Sequence, residues 1–247
     1  MRQHEEAIKR TLHQFSESLG NAIDVKDSYT ESHSVEVAEA AYLLANAMGL
    51  PREMSEWIHI GGHLHDIGKI GVPNRILHKN GPLTPEEWAV ARRHPEIGAH
   101  ILAPVEAMAE TGIPEMVLHH HEAFDGGGYP FGLKSRAIPV GARIIAAADS
   151  LSAMLSHRPY RRPDHFDDAV AEIARCAGSQ FDPEVVGALE ANSKEVKAAM
   201  GRHNGRPRPG MVLKVNHHDQ KPGGINCRSR LTGGNPVTPE SENVIRR

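Results

Sequence analysis

The stretch His63-Leu64-His65-Asp66-Ile67-Gly68-Lys69 holds the residues best suited to chemistry. His65 and Asp66 are adjacent, so on a helix they point about 100° apart. Such a pair can grip one ion from two sides or reach two neighbouring ions. Gly68 follows within a turn and reads as a helix end. Lys69 then sits beside that end, a place for a cation near a phosphate. The pair alone is a weak motif, because an exposed polar helix end with backbone-satisfied histidines explains it equally well. Its weight comes from further His and Asp residues in unusual places.

Three consecutive histidines, His119, His120 and His121, precede Glu122 on a helix expected to open at Pro114. At 100° per residue they cannot all face solvent or all face the core. His94 lies before Pro95, at an expected helix–helix junction where a side chain can aim into a cleft. Asp149 stands in the middle of an almost wholly apolar helix starting at Pro139. An unpaired carboxylate there would cost several kcal/mol, so it must be protonated, paired with a residue such as Arg143, or bound to a metal. His33, near the start of another helix, is by itself more often a surface histidine. His59 and His63 are four apart, a metal-capable spacing, but not on the face of His65 and Asp66; they read as outer-layer or solvent groups.

Collected, His33, His65, Asp66, His94, His120, His121 and Asp149 come from at least five helices. Nitrogen and carboxylate donors suit Fe, Mn, Zn, Co or Ni, and no cysteine joins them as in a structural zinc site. Seven ligands exceed the need of one tetrahedral ion. A pair of ions bridged by Asp66 fits better, and such pairs serve in-line phosphoryl displacement. Arg158 and Arg161, in a Pro-broken basic run after the Asp149 helix, could border the same cleft. Guanidinium forks suit phosphates and guanine edges, although charge runs are usually solvated.

The elements that must position these groups are helical. Aromatics are only 4% of the chain, while Ala, Leu, Ile and Val are plentiful, so an all-α fold is expected. Residues 4–23 form an amphipathic helix on which Ile8, Leu12, Phe15 and Leu19 make a seam. That seam fits a coiled coil, and hence a homodimer, as well as packing on the chain's own domain. A helix from Asp27 stops at Gly49 and Pro51, and residues 53–66 form the next. Thr84-Pro85-Glu86-Glu87 is a capping box with Pro at the first helical position, opening a helix to about His94. Gly126, Gly127 and Gly128 permit a tight loop ahead of Tyr129-Pro130. Asp182-Pro183 caps a last helix over about 183–200. The chain divides into an N-terminal helix (1–23), a helical domain (24–200) and a basic, disordered tail (201–247).

The net charge of −3 hides an asymmetry. Residues 201–247 carry nine Lys or Arg and three Asp or Glu, a net of +6, which leaves −9 on residues 1–200. An acidic body disfavours general DNA binding. An anionic ligand would need local cations, which bound metals supply. No apolar run is long enough to cross a bilayer and no signal peptide opens the chain, so a cytoplasmic protein is expected.

The series His65-Asp66-Ile67-Gly68-Lys69, His120-His121-Glu122 and Asp125-Gly126-Gly127-Gly128-Tyr129-Pro130 resembles the HD-GYP phosphodiesterases, a branch of the HD metal-dependent phosphohydrolases. Gly71-Val72-Pro73, His94-Pro95, Ala148-Asp149, Arg158-Pro159-Tyr160-Arg161 and Phe181-Asp182-Pro183 extend the likeness over about residues 24–195. The resemblance implies an HD-type helical bundle around a central metal site. It implies hydrolysis of cyclic di-GMP to pGpG, and in some cases on to GMP, by a hydroxide bridging two divalent ions, Fe or Mn foremost. His33, His65, Asp66, His94, His120, His121 and Asp149 would be the ligands, with Asp66 bridging. Lys69 would contact the scissile phosphate, and Arg158, Arg161, Gly128 and Tyr129 would lie by the substrate. Part of the family places a Glu four residues before the first ligand histidine and holds a third ion; Tyr29 stands there, so two ions are expected. A diguanylate cyclase of the GGDEF type or an upstream sensor protein would be a partner. Two other readings fit the same residues: a non-catalytic sensor or docking module, and an HD hydrolase acting on cyclic GMP-AMP.

Overall fold

The computed structural model describes residues 2–27, 32–156 and 165–201. Tyr29, Arg158, Arg161 and nearly all of the expected tail lie outside them. The described residues form an all-helical bundle: α1 (Arg2–Lys26), α2 (His33–Ala47), α3 (Arg52–Leu64), α4 (Asn74–Leu77), α5 (Pro85–Ala91), α6 (His94–Leu102), α7 (Glu106–Ala109), α8 (Ile113–His119), α9 (Val140–Leu155), α10 (Phe166–Arg175), α11 (Pro183–Ala191) and α12 (Ser193–Gly201). A 3-10 turn, Ile67–Gly71, follows α3.

Helix α2 is the central strut and packs on both α3 and α9. Its buried face is mostly small: Ala38, Ala40, Ala41 and Ala45 are fully buried around Leu44. Small side chains let α3 come close, and a Cβ added at Gly62 would lie 2.7 Å from the Ala38 Cα. One apolar cluster joins Leu44, Ile58, Ile144, Ile145, Leu151, Ile173 and Leu189. A second gathers Ile23, Ile60, Leu64, Ile67, Ile113 and Val117. Helix α3 feeds both, so its C-terminal end is held from two sides. Each such large aliphatic side chain contributes about 1.5–3 kcal/mol by leaving water.

Helix α1 lies along α3 and the start of α2. Leu12 and Leu19 of the expected seam pack on the second apolar cluster, whereas Ile8 and Phe15 are 51% and 60% exposed. The end of α1 also fixes the beginning of α2. Asp24 accepts hydrogen bonds from the Ser34 hydroxyl at 2.7 Å and the Ser34 backbone N–H at 3.1 Å. This carboxylate supplies the N-terminal cap that α2 lacks from its own Ser32, beside the position of His33.

Several expected boundaries move. The capping box at Thr84 is present, with both reciprocal hydrogen bonds, but α5 ends at Ala91 and His94 opens α6. Helix α8 ends at His119, so His120 and His121 fall on the turn after it. The single helix expected over 183–200 is two, broken at Asn192. Gly68 does not end a helix; it lies inside the 3-10 turn. Its reason is contact: an added Cβ would sit 1.8 Å from the His94 carbonyl oxygen and 2.5 Å from the Gly98 backbone nitrogen. Backbone touches backbone here, which only glycine allows.

Gly68→Ala should therefore force the 3-10 turn off α6 and destabilise the fold by about 1–3 kcal/mol, or more. The matched control is Gly187→Ala on α11, where an added Cβ meets nothing within 4 Å; it should gain about 0.5–1 kcal/mol. Thermal unfolding of both variants checks the sign difference. Equal melting temperatures would mean that the turn yields without cost.

Candidate metal centre

Four helix ends and one helix middle converge on a single buried cluster. His33 comes from the start of α2, His65 and Asp66 from the end of α3, and His94 from the start of α6. His120 and His121 come from the turn after α8, and Asp149 from the middle of α9. His33, His65 and Asp66 each present a ligand atom within 4.8 Å of the others, and so do His94, His120 and His121.

The histidines are aimed by their outer nitrogens. His65 Nδ1 donates to the Gly62 carbonyl at 2.8 Å, His94 Nδ1 to Ala91 at 2.9 Å and His120 Nδ1 to Val117 at 2.6 Å. A carbonyl can only accept, so each Nδ1 carries a proton and each Nε2 turns inward, with a lone pair wherever the ring is neutral. All three use the carbonyl three residues back, so local geometry sets the tautomer. His33 does the same over long range. Its Nδ1 meets the Ser152 hydroxyl oxygen at 2.9 Å, and that hydroxyl donates to Glu36 Oε2 at 2.7 Å. Glu36 therefore stands behind His33, on the side away from the cluster.

The carboxylates lie between these inward nitrogens. Asp66 Oδ1 is 3.3 Å from His94 Nε2, and its Oδ2 is 3.3 Å from His65 Nε2. One carboxylate thus reaches both histidine groups. Asp149 Oδ1 is 3.1 Å from His33 Nε2 and 3.8 Å from His65 Nε2. The alternative partner Arg143 is engaged elsewhere: it is ion-paired with Asp182. Lys69 Nζ lies 2.6 Å from Asp66 Oδ2 and 2.5 Å from Asp27 Oδ2.

Burial alone would raise both aspartates. Lys69 and then His65 outweigh it at Asp66, and the His33 hydrogen bond and charge outweigh it at Asp149, so both carboxyls are held well below the ordinary range. Burial would likewise lower His65, but Asp66 foremost, with Asp149, lifts it to about 9. Burial drives His120 down to about 3, with His65 and His94 adding to it, and it also lowers His94 and His121.

This leaves an unfavourable contact. His94 Nε2 and His120 Nε2 face each other at 3.4 Å, each ring having spent its proton on a backbone carbonyl. His121 Nε2 is 3.1 Å from the same His94 nitrogen. Lone pairs pointed at one another repel unless a cation lies among them. The donor set fits a divalent ion: neutral imidazole nitrogens on one side, mixed nitrogen and carboxylate on the other.

The glycine loop stands behind His121. Tyr129 stacks on the His121 ring with centroids 4.9 Å apart, and the Arg92 guanidinium lies 4.2 Å from the Tyr129 centroid. Glu122 holds the loop by accepting from the Phe131 N–H at 2.8 Å and the Leu133 N–H at 3.0 Å. Gly128 packs on backbone, since an added Cβ would be 2.1 Å from the Ala123 nitrogen. His119, first of the three histidines, turns instead toward Phe131. Sequence reading missed Asp27, Ser152 and Arg92. Their partners are 42, 119 and 37 positions away in the chain, and no local pattern announces such pairings. Of the two readings left open for His63, an outer-layer or a solvent group, its burial excludes the solvent one.

No helix among the described residues is long and apolar enough to cross a membrane. The HD domain family profile matches residues 17–185. A cyclic di-GMP phosphodiesterase of Thermotoga maritima is 40% identical over 185 residues, covering 75% of this chain and 50% of that protein. The cyclic di-GMP phosphodiesterase response regulator RpfG of Xanthomonas campestris is 36% identical, covering 85% and 55%. A 3'3'-cGAMP-specific phosphodiesterase of Vibrio cholerae is 33% identical, covering 72% and 34%. The chain thus spans about half the length, or less, of these curated relatives. The crystal structure of a cyclic GMP-AMP-specific phosphodiesterase of Vibrio cholerae superposes with a TM-score of 0.60 at 16% identity, over 80% of this chain and 54% of that one. That likeness is one of fold. With more than half of its length matched, the chain belongs to the HD domain family.

Proposed function

We propose that this protein is a metal-dependent phosphodiesterase that hydrolyses cyclic di-GMP to linear pGpG. The observation that carries this reading is the meeting of His94 Nε2 and His120 Nε2, two unprotonated nitrogens 3.4 Å apart, beside an aspartate that reaches both histidine groups. His33, His65, Asp66 and Asp149 would hold one ion, and Asp66, His94, His120 and His121 a second. Fe or Mn suits these donors, as do Zn, Co and Ni. When bound, such a pair supplies Lewis acidity and an acidified water for in-line displacement at phosphorus.

The chain's own groups would set the geometry around it. Lys69 offsets the Asp66 charge and would be the cation that meets the substrate's phosphate. To touch substrate it would leave Asp27. Tyr129, backed by Arg92, holds the plane of His121. Arg158 and Arg161 would supply guanidinium forks to a phosphate or guanine edge. The named activities of the relatives in Thermotoga, Xanthomonas and Vibrio support a cyclic dinucleotide as substrate.

Purified protein, elemental analysis, and turnover of cyclic di-GMP and 3'3'-cGAMP followed by chromatography test the reading. Conversion of cyclic di-GMP to pGpG is expected; turnover of cyclic GMP-AMP alone would reassign the substrate. Asp66→Asn should lose bound metal and turnover together while keeping its helical circular dichroism. A folded Asp66→Asn protein with full turnover would overturn the mechanism. Ser152→Ala removes the hydroxyl that aims His33, and with it the donor to Glu36. Metal affinity should fall about 10- to 100-fold, with turnover recovering at high metal concentration. Unchanged affinity would show that His33 needs no such support.

A further inference from the structure

A second histidine cluster lies on another side of α3, outside the centre described above. His13 of α1 and His59 and His63 of α3 each present a ligand atom within 4.8 Å of the others. Their rings form a closed triangle, with centroids 4.8 Å apart for His13–His59, 5.4 Å for His13–His63 and 4.9 Å for His59–His63. His63 is 3% exposed, and neither of its ring nitrogens has a hydrogen-bond partner. A neutral imidazole always carries one N–H donor and one acceptor, so this burial leaves both unsatisfied. Sequence spacing gives two of the three members, since His59 and His63 are a turn apart on α3. The third member comes from α1, 46 residues earlier, which no local pattern reveals.

We propose that His13, His59 and His63 form a mononuclear site for a borderline divalent cation of the Zn(II) class, separate from the HD centre. Three imidazoles without thiolate or a directly placed carboxylate suit Zn, Co, Ni or Cu far better than Mg or Ca. His13 Nε2 and His59 Nδ1 lie 3.2 Å apart, a separation that two ligands of one ion adopt. The other nitrogen of His59 is buried, has no hydrogen-bond partner and lies 3.9 Å from Glu39 Oε1 on α2. That is where a carboxylate orients a histidine ligand from behind. The ion satisfies His63 and closes the three-ring contact, leaving a fourth position for water.

Such an ion staples α1 to α3. The two helices already meet at Gly20, where an added Cβ would lie 2.5 Å from the His63 carbonyl oxygen. The His63 backbone therefore bears on α1 two residues before the His65–Asp66 pair begins. Metal occupancy here fixes α1 against the helix that ends in the HD pair, without contributing an atom to it.

The test counts ions. Full-length protein, purified with its resident metals, is equilibrated with micromolar zinc chloride and desalted, and total Fe, Mn, Co, Ni and Zn per chain are measured. Wild type should hold one more ion than His13→Gln and than His59→Gln. Zinc should raise its melting temperature by several degrees, and both variants should lose that rise. Hydrolysis of bis(p-nitrophenyl) phosphate should stay within about twofold in both variants. His13→Gln sits on a half-exposed position of α1, so it is the variant that keeps the fold if His59→Gln does not. Equal ion counts in wild type and His13→Gln, with no zinc-dependent melting shift, would overturn the proposal. The reading is a difference of one ion, so it stands or falls whether or not the HD centre proves to be binuclear or hydrolytic.

Discussion

The centre depends on one constraint: each inner nitrogen is turned to the cluster because the outer nitrogen of the same ring is spoken for. Three backbone carbonyls and one serine hydroxyl hold the Nδ1 protons of His65, His94, His120 and His33. If those acceptors were lost, the imidazoles would tautomerise or turn to pair with each other. The arrangement works because three of these histidines stand just past a helix turn, where the carbonyl three residues back is still within reach. The helical fold thus supplies both the positions and the protonation states. Those rings are deeply buried, so the ordering is done at folding rather than on binding, which is what preorganised sites require.

Electrostatics bear on how an acidic body would host the proposed anionic substrate. Among the described residues, Asp66 stays ionised because Lys69 and then His65 lie beside it, and Asp149 because His33 and then His65 do. The local account is nearly balanced before any metal enters. Divalent ions would tip it positive and displace the proton that His65 keeps. The −9 of the surrounding body would then act as a background that disfavours polyanions and spares small charged ligands.

Much of this was readable from sequence where the pattern is local. The Thr84 capping box, the Asp182 cap, the stop at Gly49 and the apolar helix around Asp149 all follow from neighbours within a turn or two. The seven residues singled out for metal chemistry do converge, because an ionisable group in an apolar helix has few alternatives. Illegible were pairings across the chain. Ser152 behind His33, Asp27 on Lys69 and His13 against His59 are set by how helices cross, and crossing is decided by packing rather than by spacing. Gly68 was legible as a special residue but misassigned. The sequence cannot tell a glycine that ends a helix from one that lets two backbones touch. The seam on α1, which fits pairing with a second copy as well as packing on the chain's own domain, is divided: Leu12 and Leu19 find partners within the domain, while Ile8 and Phe15 are exposed.

The pairing of Arg143 with Asp182 has a consequence for depth. Asp182 caps α11 through the Glu184 N–H at 2.9 Å and also grips Arg143 near the beginning of α9. Arg143 is further pinned by donating to the Ile138 carbonyl at 3.0 Å. Asp149 lies six residues on, about 9 Å of helical rise. The clamp therefore works as a thread stop. Helix α9 can neither advance nor turn without breaking a buried ion pair, and a slip of a single residue would rotate Asp149 by about 100°, aiming its carboxylate into hydrocarbon. The screw position of one helix is thus gauged at its far end, by a residue that never approaches the centre it calibrates.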